Sequence, residues 1–362
     1  MKKETGILVL CAGSLFFFIL SLCVGPDKKI NPDVEMARAS EIMAAAMAAI
    51  SQCRTEKNIG FDAADVNHTG LIGLEFSSLT TSLGNLEAKR TTTNPNFAGL
   101  LVFLLKKAGV RRGEMIAVGA SSSFPALIIA THSAAKAMGL RTLQICSLGA
   151  SQWGANYPSF TWMDMEDCLW ESGFFRDKTV AFSLGGEKDI GEDMTPEGRA
   201  FLAEKINKSQ KLFIQEPDLR RNVLERIRIY MERAGQREIK AFINIGGNWA
   251  NLGMDSQVLK MKPGLTFLTL FSPPEKRGVI QEMALRRIPI IHLLYIRGLT
   301  QKHGLPWDPA PLPQSGKGTF QDISPDLPLS FLLLSGLYLV FVFLVFKIRR
   351  KTVSRNGLSF FI

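Results

Sequence analysis

Three consecutive serines follow an apolar stretch that runs from Met115 to Gly119. In Gly119-Ala-Ser-Ser-Ser123 they fit, loosely, the small-x-Ser-x-small turn at which a strand passes into a helix and exposes a serine nucleophile. Ser121 is then the nucleophile and His292 is the base. Because His292 lies inside the apolar run Ile290-Ile-His-Leu-Leu, a satisfied core histidine is the more usual interpretation of this position.

Acidic residues complete this catalytic hypothesis. Asp164, Glu166 and Asp189 are the candidates for the acid that orients the base. Asp164 and Glu166 can also act alone, since paired carboxylates can donate and accept a proton. Both stand at the start of a predicted helix, however, where acids stabilise the helix dipole without any chemistry.

Small residues at the ends of four predicted strands indicate a binding site instead. Parallel strands share one carboxyl edge, so their loops are expected to line one crevice. Backbone N–H groups and hydroxyls there favour an anion such as a carboxylate. The predicted ligand-binding residues are Ser122, Ser123, Ser151, Asn156, Gly246, Gly247, Asn248 and Asn251. Glycines at these turns also suit tight backbone conformations without any ligand.

No cofactor is indicated by these turns. They carry neither of the glycine-rich nucleotide-binding motifs, so the cofactor is unknown. Asp62, Asp65 and Asn67 are acidic or amide residues in one loop, but they miss the alternate spacing of a calcium loop. We therefore predict no metal site.

The elements that position these residues alternate between strands and helices. Pro125 suits the first position of a helix that follows the serines. The other predicted strands are residues 142–149, 179–184, 241–245 and 289–296. Predicted helices cover residues 31–57, 97–108, 196–207 and 216–234, and the charges of the last are expected to form mostly a solvated face. This alternation predicts an α/β fold with a mostly parallel, Rossmann-like sheet and flanking helices.

Two apolar stretches without charges flank this α/β region. Residues 7–25 and 327–346 each approach the roughly 20 residues that a membrane-spanning helix needs. The first is expected to be an uncleaved anchor, with a cleaved signal peptide or a lipoprotein signal at Cys23 as alternatives. The predicted organisation is a tail and first span (1–26), a helical and loop region (27–108), an α/β domain (109–304), a proline-rich strap (305–326), a second span (327–346) and a basic tail (347–362).

Charge gives the predicted orientation of this two-pass protein in the cell membrane. The formal net charge is +10, and the two tails hold seven basic residues against Glu4, so they supply +6 of it. Positive residues stay on the cytoplasmic side, which places both termini inside and residues 27–326 outside. The remaining +4 is spread over about 300 residues, so no nucleic-acid partner is expected.

The five cysteines give no disulfide framework by their spacing. Cys11 and Cys23 lie in the first predicted span, and three widely spaced cysteines remain outside. We expect Cys53, Cys146 and Cys168 to be small buried hydrophobic residues.

Seven segments resemble the bacterial poly-gamma-glutamate system protein family. They are residues 67–73 (NHTGLIG), 83–95 (LGNLEAKRTTTNP), 118–125 (VGASSSFP), 147–156 (SLGASQWGAN), 160–166 (FTWMDME), 244–253 (NIGGNWANLG) and 304–308 (GLPWD). The similarity spans about residues 60–313. It implies a membrane-attached accessory component of poly-gamma-glutamate (poly-γ-glutamate) synthesis and export, with the polymer and the synthesis and export subunits as partners, but it assigns no activity to any residue.

Two functions follow from these observations. In the first, the external α/β domain binds or guides the polymer, whose carboxylates are anions, with Lys89-Arg90 or the basic helix 220–233 adding local steering. In the second, the same domain is a γ-glutamyl hydrolase or transferase that uses Ser121 or the Asp164/Glu166 pair. A histidine or carboxylate in hydrogen-bond reach of Ser121 favours the second function.

Overall fold

The computed structural model describes residues 3–23, 27–269, 271–323 and 329–357. These residues form two compact units. One unit is residues 31–320, and the other consists of the described parts of residues 1–30 and 321–362. All residues of the predicted site belong to the first unit.

A seven-stranded sheet forms the centre of residues 31–320. In spatial order its strands are β7 (Leu212–Ile214), β6 (Ala181–Ser183), β3 (Arg141–Ser147), β2 (Met115–Ser121), β8 (Ile239–Ile245), β10 (Ile290–Leu293) and β9 (Gly264–Thr266). Only the edge strand β9 is antiparallel to its neighbour. The prediction of an α/β fold with a mostly parallel sheet is therefore confirmed, while β7 and β9 were not predicted.

The strand order contains a reversal beside β2. From β2 the chain moves outward through β3 and β6 to β7, and it then returns to place β8 on the other side of β2. Crossovers that leave in opposite directions open a crevice at the carboxyl ends of the two strands. The topology by itself therefore places a crevice at the carboxyl ends of β2 and β8.

The β2–helix–β3 unit explains why β2 occupies the centre. All seven residues of β2 are buried, as expected for a parallel strand with both faces covered. The strand continues to Ser121, two residues beyond the predicted end at Gly119. Gly119 is needed because a Cβ there would lie 2.6 Å from Asn251 Nδ2. Pro125 begins the next helix, as predicted, and Gly139 ends it in the left-handed conformation.

Ten helices of the described chain belong to this unit. They are α2 (Val34–Glu56), α3 (Leu86–Thr92), α4 (Asn96–Lys107), α5 (Pro125–Met138), α6 (Trp162–Glu171), α7 (Pro196–Lys208), α8 (Leu219–Ala234), α9 (Trp249–Leu252), α10 (Val279–Leu285) and α11 (Ile296–His303). Helices α2, α4 and α5 pack on one another, and α8, α9 and α10 pack together. A short hairpin, β4 (Asn156–Tyr157) and β5 (Phe160–Thr161), precedes α6.

Helix α3 lies within the region 27–108, which was predicted to consist of helices and loops without a helix at these positions. Asn85 caps it, because its side-chain oxygen accepts the Ala88 N–H at 2.7 Å. The cap follows a polar stretch, and the helix has only seven residues, so no full apolar period marks it in the sequence. This short helix carries Lys89 into the interior.

A disulfide bond joins α2 to α6. It connects Cys53 to Cys168 across 115 residues, with their Cα atoms 6.4 Å apart. The expectation that these two cysteines are merely buried hydrophobic residues is therefore wrong, although Cys146 is a buried free thiol. Their separation along the chain hid the pair, because only the packing of α2 on α6 brings them together.

The second unit contains two apolar helices, α1 (Lys3–Cys23) and α12 (Leu329–Gly357). They pack against each other: Ser14 Oγ and Tyr338 OH lie 3.0 Å apart, and Gly13 faces the Phe341 ring. Strands β1 (Asp27–Ile30) and β11 (Phe320–Ile323) form a separate two-stranded sheet.

Helix α12 has the length and apolar composition of a membrane-spanning helix. Among the described residues, one helical stretch, Phe331–Ile348, is long and apolar enough to cross a membrane, whereas the apolar stretch Ile7–Ser21 of α1 is shorter. The predicted spans also included residues 24–25 and 327–328, and these lie outside the described residues.

Replacement of both Cys53 and Cys168 by serine is expected to lower the unfolding free energy by about 3 to 5 kcal/mol, because the unfolded chain regains the freedom of a 115-residue loop. For a domain of this size the loss corresponds to a melting temperature lower by about 6 °C or more. Thermal unfolding of the oxidised protein and of the double variant measures the difference.

The Cys146→Ala variant is the matched control, since it removes a buried thiol that forms no disulfide bond. Its expected loss is about 1 kcal/mol, from a small cavity. Equal melting temperatures for the reduced wild type and the oxidised wild type would contradict a structural role for the Cys53–Cys168 bond.

Candidate functional site

A cavity of about 650 Å³ opens at the carboxyl edge of the sheet. Five parallel strands that are neighbours in the sheet line the cavity with their last residues or with the loops that follow them. They are β6, β3, β2, β8 and β10. Representative residues, in chain order, are Ser121, Ser147, Gly186, Asn248 and Arg297. The cavity therefore occupies the place that the reversal of strand order indicates.

The segment Thr81–Lys89 forms another wall of this cavity. It contacts the loop after β3, since Gly84 N donates to Gln152 Oε1 at 2.9 Å. Gln152 N in turn donates to Ser82 O at 3.0 Å. These contacts bring α3 against the end of the sheet.

Hydroxyl groups from two loops meet inside the cavity. Ser121 Oγ lies 3.0 Å from Ser123 Oγ and accepts the Ser123 N–H at 3.2 Å. Ser123 Oγ also accepts the Ser151 N–H at 3.0 Å, which ties the loop after β3 to the loop after β2. Ser122 belongs to the predicted set but not to the lining, because its hydroxyl contacts Cys146 Sγ in the core at 3.6 Å.

Lys89 lies in the interior of the protein. It was expected to steer ligands from the surface, but only 4% of it is exposed. Its Nζ donates to the Ser123 carbonyl and, at 2.7 Å, to Ser151 Oγ. Burial lowers the pKa of Lys89 to about 7. The ring of Phe124, 3.9 Å from Nζ, favours the charged form and opposes this shift.

A fully buried ion pair lies directly beneath the cavity. Arg226 donates to Asp189 Oδ2 at 2.6 Å, and both side chains are completely inaccessible. The other oxygen of Asp189 accepts from Ser147 Oγ at 3.0 Å and from Asn248 Nδ2 at 2.8 Å. Since Ser147 and Asn248 line the cavity, this ion pair fixes part of its floor.

This ion pair bears on two earlier expectations. Arg226 belongs to the basic helix whose charges were expected to be mostly solvated, and it is the exception that the helix points inward. Asp189 was a candidate to orient a base for Ser121, and its hydrogen bonds go elsewhere. Lys188 and Asp189 have positive φ values of 51° and 69°, conformations that few non-glycine residues adopt. The contacts of Asp189 hold this strained turn in place.

The Asp164/Glu166 pair has structural roles on α6. Asp164 accepts the Thr161 N–H in a capping box and pairs with Lys205 at 2.8 Å. Glu166 accepts the Thr179 N–H at 3.0 Å, and burial raises the pKa of Glu166 to about 6. Neither carboxylate lines the cavity. They therefore do not share a site with the serines.

No base is placed beside Ser121. Among the described residues, no histidine or carboxylate hydrogen-bonds its hydroxyl. His292 instead contacts Asn244 Nδ2 at 3.1 Å, and burial lowers the pKa of His292 to about 4. The interpretation of His292 as a satisfied core histidine accounts for its position.

The remaining predicted binding residues divide into lining and support. Gly247 and Asn248 line the cavity. Gly246 lies behind it, and its φ of 79° lets the backbone pass close to Ser121. Asn156 holds the loop at Leu74 through both its oxygen (2.9 Å) and its nitrogen (2.8 Å). Asn251 packs on the face of Gly119 and belongs to the core.

Aromatic and cationic side chains surround the mouth of the cavity. The Arg297 guanidinium lies 4.8 Å from the centre of the Trp307 ring. Trp249 and Tyr295 are 40% and 57% exposed, which is high for aromatic residues that line a cavity. Arg90, the other expected steering residue, is engaged with Asp308 at 2.7 Å. Among the described residues that line the cavity, Arg297 is thus the exposed cation.

Comparison of the chain with protein-family models, curated proteins and solved structures finds no match. Assignment of a function therefore depends on the chemistry of the cavity and on the family resemblance of the seven segments.

The Lys89→Met variant is expected to lose a pH dependence that the wild type shows. The folded-state pKa of Lys89 is about 7 and the ordinary value is 10.5, so between these values only the unfolded chain binds the proton. Unfolding free energy therefore rises with pH across this window, by up to about 4 kcal/mol for a shift of this size. Denaturant unfolding at a series of pH values from 7 to 10 measures the slope for both proteins.

The Lys208→Met variant serves as the control, because the Lys208 side chain is 75% exposed on α7. Its stability profile is expected to parallel that of the wild type. If Lys89→Met also gives a parallel profile, the proton on Lys89 does not distinguish the folded from the unfolded state, and the assigned pKa is wrong.

Proposed function

We propose that this chain is a membrane-anchored accessory protein of poly-γ-glutamate synthesis and export. Residues 31–320 form its extracytoplasmic domain, and the cavity at the carboxyl edge of the sheet binds the polymer. One observation carries the binding role: Arg297 stands at the mouth with its guanidinium over Trp307, and no carboxylate of the described chain lies within ion-pair distance of it.

A guanidinium held in this way suits an acidic polymer. Its planar fork binds carboxylates through two parallel hydrogen bonds, and stacking on an indole leaves those donors available. γ-Linked glutamate units carry one free carboxylate each, separated by methylene groups and amides. Trp249 and Tyr295 supply exposed aromatic surface at the same entrance for the methylene groups.

Recognition at the cavity has to be local. Glu87 and Asp193 also line it, so its own formal charge is balanced by Lys89 and Arg297. Residues 27–326 hold a net charge of only +4. Long-range attraction is therefore weak, and specific contacts at Arg297 have to provide the affinity.

Membrane attachment is supported by the apolar surface of the second unit. α12 has the length and composition of a membrane span, and large apolar residues of α1, among them Leu8, Phe16 and Phe18, are exposed. Packing of α1 on α12 through Gly13 and Ser14 fits the small residues found between membrane helices. We therefore propose two spans with both termini cytoplasmic.

The Cys53–Cys168 bond supports an extracytoplasmic position for residues 31–320. Disulfide bonds persist in oxidising compartments and are rare in the cytosol. The orientation inferred from basic residues in the tails gives the same location.

Among the residues first considered for catalysis, none favours an enzyme. Ser121 has no base, and Asp164 and Glu166 have structural partners outside the cavity. A polymer-binding role is therefore the function that we propose for the site as a whole.

The Arg297→Gln variant is expected to bind a γ-linked glutamate decamer about tenfold more weakly, since a charge-assisted hydrogen bond contributes about 1.5 to 3 kcal/mol. Calorimetric titration of the full chain in detergent micelles measures the dissociation constants. A decamer whose carboxylates are converted to amides is expected to bind neither protein measurably.

Arg228→Gln is the control variant, because it removes the same charge from an exposed ion pair with Glu232 on α8. Its affinity for the decamer is expected to equal that of the wild type. Equal losses for Arg228→Gln and Arg297→Gln would indicate bulk electrostatics and would overturn the local site.

A labelling experiment tests the proposed topology. In intact cells, a membrane-impermeant maleimide is expected to modify a Lys317→Cys variant, because Lys317 is exposed near the end of the external domain. An Arg355→Cys variant, in the basic tail, is expected to react only after the cells are permeabilised. The opposite pattern would exclude the orientation with both termini inside.

A further inference from the structure

We infer that Ser151 and Lys89 form a serine–lysine acyl-transfer centre, in which Ser151 is the nucleophile and Lys89 the general base. The bonds it can cleave are amides or esters that reach the cavity. That the acyl group bears a carboxylate rests on the proposed function, whereas the Ser151–Lys89 pair stands on its own geometry.

Proximity is the first requirement of such a pair. Ser151 Oγ and Lys89 Nζ lie 2.7 Å apart, a distance at which a proton passes directly from hydroxyl to amine. Both residues line the cavity, so a bound carbonyl group can reach the hydroxyl. The pair comes from two separate segments, 83–89 and 149–154, which explains why no local motif marks it.

The loop that carries Ser151 is rigidly held. Ser151 N donates to Ser123 Oγ at 3.0 Å, and Gly154 N donates back to Ser151 O at 3.0 Å. Trp153 has a φ of 56°, a conformation that a bulky residue adopts only when its surroundings enforce it. This rigidity fixes the hydroxyl before a substrate arrives, as a nucleophile requires.

Hydrogen bonds also hold Lys89 in place, but they do not supply the negative counter-charge that a buried structural lysine has. The Ser123 carbonyl accepts one of its protons, which fixes the direction of Nζ. Among the described residues, no carboxylate forms an ion pair with it. A buried ammonium without a counter-charge is unfavourable, so the neutral amine is accessible.

The electrostatic setting favours this amine as a base. Burial brings its pKa to about 7, and α5, which begins two residues after Ser123, presents its positive end nearby. A general base is most effective when its pKa is close to the working pH. The same positive end of α5 favours a negative oxygen that develops on the substrate.

The reaction balances with water as the only co-reactant. The Ser151 hydroxyl proton moves to neutral Lys89 as Oγ bonds to the carbonyl carbon. The carbon–nitrogen bond of the amide then breaks, and the Lys89 ammonium protonates the leaving amine. Water then attacks the carbonyl carbon of the Ser151 ester and gives one proton to Lys89. The bond between that carbon and Oγ breaks, the Lys89 ammonium returns the proton to Ser151 Oγ, and the acyl group leaves as a carboxylic acid, which ionises in solution.

Other serines at the carboxyl edge are occupied differently. Ser121 and Ser123 bond to each other, and Ser122 faces Cys146. Ser147 contacts Asp189, but that carboxylate is already neutralised by Arg226. Ser151 is thus the described cavity serine with an amine in contact and no competing charge.

The test uses a fluorophosphonate probe on the full chain in detergent micelles, without polymer. Peptide mapping by mass spectrometry of the wild type is expected to locate the adduct at Ser151. The labelling rate is expected to rise with pH around an apparent pKa of about 7, because only neutral Lys89 accepts the proton. An adduct at Ser121 or Ser123, no adduct, or a rate that is independent of pH would each overturn the assignment.

Variants separate a basic role of Lys89 from a structural one. Lys89→Met and Lys89→Arg are each expected to slow labelling by at least about 100-fold, the usual contribution of a general base. In Lys89→Ala, added methylamine is expected to restore part of the rate. Labelling at the wild-type rate in Lys89→Met, or no rescue of folded Lys89→Ala, would refute the role as base.

Matched controls distinguish an effect on probe labelling from an effect on polymer binding. Ser209→Ala removes a hydroxyl that ends α7, and Lys208→Met removes an exposed ammonium, so both are expected to label at the wild-type rate. Arg228→Gln, which removes an exposed charge on α8 outside the cavity, is expected to leave both decamer binding and the probe rate at the wild-type values. A wild type that is labelled at Ser151 but does not bind the decamer therefore contradicts the proposed function, and a wild type that binds the decamer but is not labelled contradicts the acyl-transfer centre.

Discussion

The buried ion pair between Asp189 and Arg226 is the interaction on which the site depends. It joins the loop after β6 to α8, and through Ser147 and Asn248 it also holds the ends of β3 and β8. Removing either partner from such a pair leaves an uncompensated charge in the interior and costs about 3 to 5 kcal/mol. The floor of the cavity is therefore rigid because charge has to be satisfied there, and its shape does not depend on a ligand.

Lys89, in the wall of the cavity, differs from Arg226 beneath the floor in the partners that surround its charge. Arg226 has a carboxylate and three further side-chain oxygen partners, while Lys89, almost equally buried, has only a carbonyl and a hydroxyl. The same protein thus neutralises one interior cation and leaves another without a counter-charge. A counter-charge suits a structural cation, because it keeps the proton in place. Absence of a counter-charge suits a group that has to gain and lose a proton.

Local patterns in the sequence predicted much of the framework around these two cations. Pro125 began α5, apolar runs located β2, β3, β6, β8 and β10, and the strand ends located the cavity edge. Residues that depend on distant packing were missed. Arg226 looked like one more charge on a basic helix, and Lys89 looked like surface, because α3 is too short to show which face it buries. The spacing of apolar residues shows which side of a helix is buried, but it cannot show a polar partner that another segment of the chain supplies.

The position of Lys89 is best explained by function, since its burial opposes stability. A methionine of similar length would fill the same space without desolvating an amine, and a pKa near 7 implies that holding the ammonium inside costs several kcal/mol at neutral pH. Consistent local and global preferences are the rule in folded chains, and departures from them concentrate at functional sites. The buried Lys89 is such a departure, and it lies where the strand order reverses and the topology independently opens a crevice. The amine and the crevice are two separate properties of the chain, and their coincidence at Ser151 is what makes this edge of the sheet a chemical site.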